Sequence, residues 1–196
     1  SLSSVNLAYT LSQLNNRVLL IDCDMRRPSL ASKLPIQKAP GLSDFLAGQS
    51  RSDNLIQQCG IKDNERAFHV VSAGRNPPNP MELLSSTRME KMLGLLRQNY
   101  DYIILDLPPV GEVGDALAVA KLTDGMLLVV GRNYCNRPAL SAAVRQFEFV
   151  ESKILGVVFN CADESGNGYG KKYSKKYEKS YYRAAAKAAK KQQQSE

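Results

Sequence analysis

Three features of the sequence predict a doubly wound α/β fold with a mostly parallel sheet. Four apolar runs, at 18–21, 102–105, 126–130 and 154–159, are nearly continuous and lack the alternation of half-solvated strands. Amphipathic helical patterns stand between them. Two of the runs end in aspartate, Asp22 and Asp106, at the strand end where such sheets bind ligands.

The elements follow in order. Leu7, Leu11 and Leu14 repeat at helical spacing, and Asn15-Asn16 ends that helix. Val18–Ile21 follows at once as a buried strand. A helix leading straight into a buried strand is the second half of a βαβ unit. The chain is therefore expected to begin after its first strand and the turn that follows it. The stretch from Pro35 to Pro80 is less regular, with a short helix expected between Gly41 and Gly48. His69 is the single histidine; it sits in a strand-like run, Ala67–Val71, and reads as structural. Pro77-Pro78-Asn79-Pro80 forms a rigid turn into Met81–Leu84. Met89, Met92, Leu93 and Leu96 share one helix face, with a capping box expected at Thr87-x-x-Glu90. Leu140, Val144, Phe147 and Val150 share another, with Pro138 in its first turn. From Glu164 the composition changes, dividing the chain into a domain at 1–163 and a basic, tyrosine-rich tail at 164–196.

Composition narrows the function classes. With 196 residues, 43% hydrophobic and 23% charged, the chain has enough apolar material for one sizeable core. No apolar run approaches the ~20 residues of a membrane span. Cys23, Cys59, Cys135 and Cys161 are far apart and read as buried free thiols, which excludes a zinc site or a disulfide frame. The net charge of +7 lies in the tail: residues 169–196 hold nine basic and two acidic side chains, leaving seventeen of each sign in the rest. Such asymmetry marks an interaction tail, and the neutral body speaks against a nucleic-acid surface.

The chemistry concentrates at two strand ends. Leu19-Leu-Ile-Asp22-Cys-Asp24-Met-Arg26-Arg27-Pro28 places two carboxylates and two guanidiniums just after one strand, and Asp106-Leu-Pro108-Pro109 follows another. Acids converging at one edge repel unless a cation neutralises them, and hard oxygen donors suit magnesium. The competing reading is that these acids cap loops or pair with Arg26 and Arg27.

Hydrophobic-Asp-x-Asp-x-Arg followed by hydrophobic-Asp-x-Pro-Pro resembles the Walker A′ and Walker B motifs of the bacterial protein-tyrosine kinases of capsular and exopolysaccharide biosynthesis. The likeness continues through Pro78-Asn-Pro-x-Glu-Leu-Leu-Ser-Ser86, Asp115-Ala116, Asp124-Gly-x-Leu-Leu-Val-Val130 and Leu155-Gly-Val-Val-Phe-Asn160. It implies a P-loop fold, ATP and Mg2+. Ser1 aligns with the Ser/Thr that closes the family's Gly-x-x-x-x-Gly-Lys-Ser/Thr loop. The glycine-rich turn and its lysine would fall before residue 1, so residues 1–196 alone are expected to be inactive. The resemblance further implies that Ser1, Asp106 and Asp24 hold the metal. Asp22 would orient or deprotonate the attacking tyrosine, and Arg26 would stabilise phosphoryl charge or pair with the acids. Asn160 would contact adenine.

The family also ends in a tyrosine cluster. Here Tyr169, Tyr173, Tyr177 and Tyr181 recur every four residues, with Tyr182 adjacent. These are the expected autophosphorylation sites, modified in trans. Each phosphate adds about −1.5 to −2 charge, so four or five would neutralise the tail and release a subunit ring or an acidic partner. The implied partners are a transmembrane polysaccharide co-polymerase that activates the kinase, either as a separate chain or as a part of this protein before residue 1, other copies of the chain in a ring, and a cognate tyrosine phosphatase. No nucleic-acid partner is expected. The implied location is cytoplasmic, at the inner face of the cell membrane. The alternative is a positioning ATPase resembling chromosome-partitioning and septum-site proteins.

Overall fold

The computed structural model describes residues 1–60, 67–111, 114–132 and 134–161. The tail and its five tyrosines lie outside the described residues. The element order is α1 (Leu2–Gln13), β1 (Val18–Asp22), α2 (Leu30–Lys33), α3 (Leu42–Leu46), β2 (Gln57–Cys59), β3 (Phe68–Val71), α4 (Pro80–Leu84), α5 (Thr87–Leu96), β4 (Tyr102–Asp106), α6 (Asp115–Ala120), β5 (Met126–Gly131), α7 (Arg137–Phe149) and β6 (Ile154–Asn160). A four-stranded sheet runs β2-β3-β1-β4, parallel except for β2, and β5 and β6 form a separate parallel pair.

β1 organises the fold. All five of its side chains are buried, and its alternation sends them into two cores. Leu19 and Ile21 join Leu42, Leu84, Met89 and Leu93 from α3, α4 and α5. Val18 and Leu20 face the other way, onto Val5 and Ala8 of α1 and Phe68 and Val70 of β3. Burying Leu19, Leu20 and Ile21 completely contributes roughly 1.5–3 kcal/mol each. A third core joins α6, β5 and α7 through Ala116, Ala120, Met126, Leu128 and Phe147.

The register of β4 on β1 is set at its amino end. The Arg17 N–H and guanidinium donate to Asp101, and the Asp101 N–H returns a bond to the Arg17 carbonyl. Val18 then pairs with Tyr102, and the ladder runs on until Asp22 lies beside Asp106. The ion pair is exposed and contributes little stability. Its consequence is positional, because a one-residue slip would separate the two acids.

Several expectations change in detail. α5 is capped by Ser86, whose hydroxyl accepts the Met89 N–H, not by Thr87, which is its first helical residue. Cys23 and Cys59 are buried, but Cys135 is half-exposed and Cys161 is exposed beyond the end of β6. β1 is buried on both faces as expected, whereas Leu127, Val129, Leu155, Val157 and Phe159 of β5 and β6 are exposed. The reason is coverage: among the described residues β5 and β6 form a strand ladder only with each other, and α6 and α7 pack on one side of them. His69 lies in β3, its Nδ1 hydrogen-bonded to the Tyr100 hydroxyl at 2.8 Å, a structural role.

Candidate functional site

The carboxyl ends of β1 and β4 carry the site. Asp22 is 1% exposed and accepts N–H bonds from Asp24 at 3.2 Å, Ser29 at 3.3 Å and Leu30 at 3.1 Å. The chain after β1 thus curls around its last carboxylate. Burial, helped by the charge of Asp106, pushes the Asp22 carboxyl up to about 6 against the opposing pull of those N–H donors. The same burial drives the neighbouring Cys23 thiol far up, so it behaves as core rather than nucleophile.

Asp106 is also buried. Its Oδ1 accepts the Ser4 hydroxyl at 2.8 Å and lies 3.1 Å from the Ser1 nitrogen. Its Oδ2 is buried with no hydrogen-bond partner among the described residues. The Ser1 hydroxyl accepts a 2.7 Å bond from Ser29, whose own N–H faces Asp22. Ser1, Asp22 and Asp106 therefore form one cluster at the start of α1.

This donor set fits magnesium. An orphaned carboxylate oxygen beside a second buried acid is costly unless a cation completes it. Among the described residues no three His, Cys, Asp or Glu side chains gather into an all-protein cage. Magnesium needs none, since it is commonly held by one or two carboxylates, a hydroxyl, water and substrate phosphates.

Other expected residues lie around this centre. Asp24 is half-buried and turns into its own loop, where Oδ1 accepts the Arg27 N–H at 2.9 Å. Arg26 pairs with neither Asp22 nor Asp106. Its guanidinium grips Asp115, the buried first residue of α6, through bonds of 2.7 and 3.0 Å. Asn160 ends β6 and is exposed; its side-chain oxygen accepts the Cys161 N–H. Ser4 was not foreseen as a site residue. The available signal was its place one turn after Ser1 on the same helix, which aims both at the strand ends. The Asp115 pairing partner was not foreseen either, because it lies 89 residues from Arg26.

A parallel α/β sheet with paired acids at adjacent strand ends, facing the amino end of a helix, defines a nucleotide-binding protein of the P-loop type. Comparison with known proteins agrees: residues 1–154 match the AAA domain family. The chain is 34% identical over 171 residues to the tyrosine-protein kinase CpsD of Streptococcus agalactiae serotype III, covering 87% of this chain and 72% of that protein. It is 32% identical over 169 residues to the tyrosine-protein kinase ptk of Acinetobacter johnsonii, covering 86% of this chain but only 22% of that larger protein. Among solved structures, the VpsO kinase domain superposes with a TM-score of 0.74 at 33% identity, over 82% of this chain and 77% of that one. The kinase domain of the Escherichia coli tyrosine kinase ETK gives 0.74 at 31%, over 85% and 66%. The chain belongs to the bacterial tyrosine-protein kinases. A plasmid partition protein of Borrelia burgdorferi, at 18% identity and a TM-score of 0.59, shares the fold alone.

Proposed function

We propose that the protein is an ATP-dependent protein-tyrosine autokinase that phosphorylates Tyr169, Tyr173, Tyr177, Tyr181 and Tyr182 of a neighbouring copy. The observation that carries this reading is the register pairing of Asp22 with Asp106, in a chain that aligns with tyrosine kinases over most of its length. Asp22 is the group that takes the proton. With its carboxyl near 6 it is largely ionised at neutral pH, yet more basic than an ordinary aspartate. A tyrosine hydroxyl titrates near 10 and must surrender its proton as the new O–P bond forms. The N–H bonds from Ser29 and Leu30 hold one Asp22 oxygen in place.

Asp106, with the Ser1 hydroxyl and Asp24, would hold Mg2+, whose charge would offset that of the ATP phosphates. Ser4 orients Asp106 through its 2.8 Å bond. Arg26 acts as a tether: its pair with Asp115 ties the loop after β1 to the start of α6. Asn160 is assigned to the adenine.

The proposed setting is capsule or exopolysaccharide synthesis and export, at the inner face of the cell membrane. A transmembrane co-polymerase would activate the kinase, subunits would assemble as a ring, and a cognate phosphatase would reset the tail. No helix among the described residues is long and apolar enough to cross a membrane.

The test is incubation of the whole protein with ATP and Mg2+, followed by mass-spectrometric mapping of phosphotyrosine. Labelling of Tyr169–Tyr182 is expected. ATP hydrolysis without phosphotyrosine, even with the activator added, would replace this reading with a positioning ATPase.

A further inference from the structure

Ser29 stands just before the short helix α2, where a serine ordinarily turns its oxygen back to accept the helix's first N–H groups. Here the side chain makes no such cap. The Ser29 hydroxyl instead donates to the Ser1 hydroxyl, 28 residues away in sequence, at 2.7 Å. The Ser29 backbone is held on both sides. Its N–H donates to Asp22 at 3.3 Å, and its carbonyl accepts the Ser32 hydroxyl at 2.7 Å and the Lys33 ammonium at 3.4 Å. A fixed backbone thus presents a side chain whose one bond is to Ser1. Asp106 is served in the same way by the Ser4 hydroxyl at 2.8 Å. Ser1 and Asp106, both assigned to the metal, therefore each have a serine of their own.

We propose that Ser29 is a positioning residue for the metal: its hydroxyl holds the Ser1 hydroxyl in a single orientation, ready for Mg2+. The proposal rests on the metal assignment within the kinase reading above. A serine hydroxyl has one proton to donate and two lone pairs. The bond from Ser29 occupies one lone pair, leaving Ser1 the other for a cation and its proton for a phosphate or carboxylate oxygen. Accepting that bond also polarises the Ser1 O–H and makes it a stronger donor. Ser1 is exposed at the start of α1. Without Ser29 its side chain would turn among staggered rotamers and would have to be ordered each time the metal bound. The contact of Ser29 with Asp22 is made by the backbone, so exchanging the side chain acts on the metal's hydroxyl and leaves the base as it is.

The test is a calorimetric titration of Mg2+ into the whole protein saturated with ADP, beside ADP binding measured in EDTA. S29A should weaken Mg2+ about fivefold, the equivalent of one hydrogen bond, and leave metal-free ADP binding unchanged. S29T keeps the hydroxyl and should keep the wild-type Mg2+ affinity. S29V has the shape of S29T without the hydroxyl and should match S29A, so the comparison of S29T with S29V decides the matter even if S29A misfolds. Equal Mg2+ affinity in S29T and S29V would overturn the proposal. So would a loss of metal-free ADP binding as large as the loss of Mg2+ binding, which would make Ser29 a support of the loop as a whole. Wild-type protein that binds no Mg2+ beside ADP would overturn it together with the metal assignment. Neither titration involves phosphoryl transfer, so a failure to form phosphotyrosine bears on the kinase reading alone.

Discussion

β1 and β6 come from the same kind of sequence, a short run of Leu, Ile and Val, yet their surroundings differ completely. Every side chain of β1 is buried. Leu155, Val157, Val158 and Phe159 of β6 are 41% to 61% exposed. β1 has a hydrogen-bonded neighbour on each edge and a helical core on each face; β6 has β5 on one edge and the α6–α7 core on one side. An apolar run therefore specifies a strand, while its burial is decided by how many neighbours the fold supplies. The chemistry follows the same division. The acid that ends β1 has its affinity for protons raised by burial. Asn160, which ends β6, remains in contact with solvent.

The largest effect expected from this contrast is in the core. Leu20→Ala should destabilise the domain by about 2–5 kcal/mol, because Leu20 is wholly buried and its removal leaves a cavity. A smaller loss measured by urea unfolding would mean that β1 is less tightly enclosed than its neighbours imply. Titration comes next. Folded Asp22 holds its proton up to about 6, above its ordinary 3.8. Between those values the folded chain binds more protons than the unfolded one, so stability falls as pH rises from about 4 to 6. The size of that fall is on the order of 2–3 kcal/mol. The fall should vanish in D22N, and its persistence there would assign it to another group.

Asp115→Asn should cost roughly 1–3 kcal/mol, less than a fully buried pair because Arg26 is 43% exposed. Comparing it with R26Q and the double variant checks the coupling. Ser86→Ala removes the α5 cap and should cost about 1 kcal/mol. At the bottom of the scale stands Val157→Ala on β6, expected within about 0.5 kcal/mol. A cost comparable to Leu20→Ala would erase the distinction between the two strands.

Much of this is legible in the sequence. β1, β4, β5 and β6 were plain as apolar runs, and α5 and α7 as helical faces, because burial imposes those periods on the sequence. The Asp22–Asp106 pairing was legible as two acids ending two strands. β2 was not, since Gln57-Gln58-Cys59 carries no apolar signal and exists through pairing with β3. The sequence leaves Arg26 between two roles because its partner is on a distant helix. The exposure of Val157 and Phe159 was hidden for a related reason, as coverage is a property of the assembled fold.

The central claim is that Asp22, beside Asp106, takes the tyrosine proton. The most direct test is the single-turnover rate of phosphotyrosine formation by the whole protein as a function of pH, for wild type and D22N, with ATP and Mg2+ saturating. The account predicts a wild-type rate that climbs with pH as Asp22 gives up its proton, and a loss of roughly 10²–10⁴-fold in D22N with that climb abolished. A D22N enzyme that keeps the same rate and the same pH profile would contradict it.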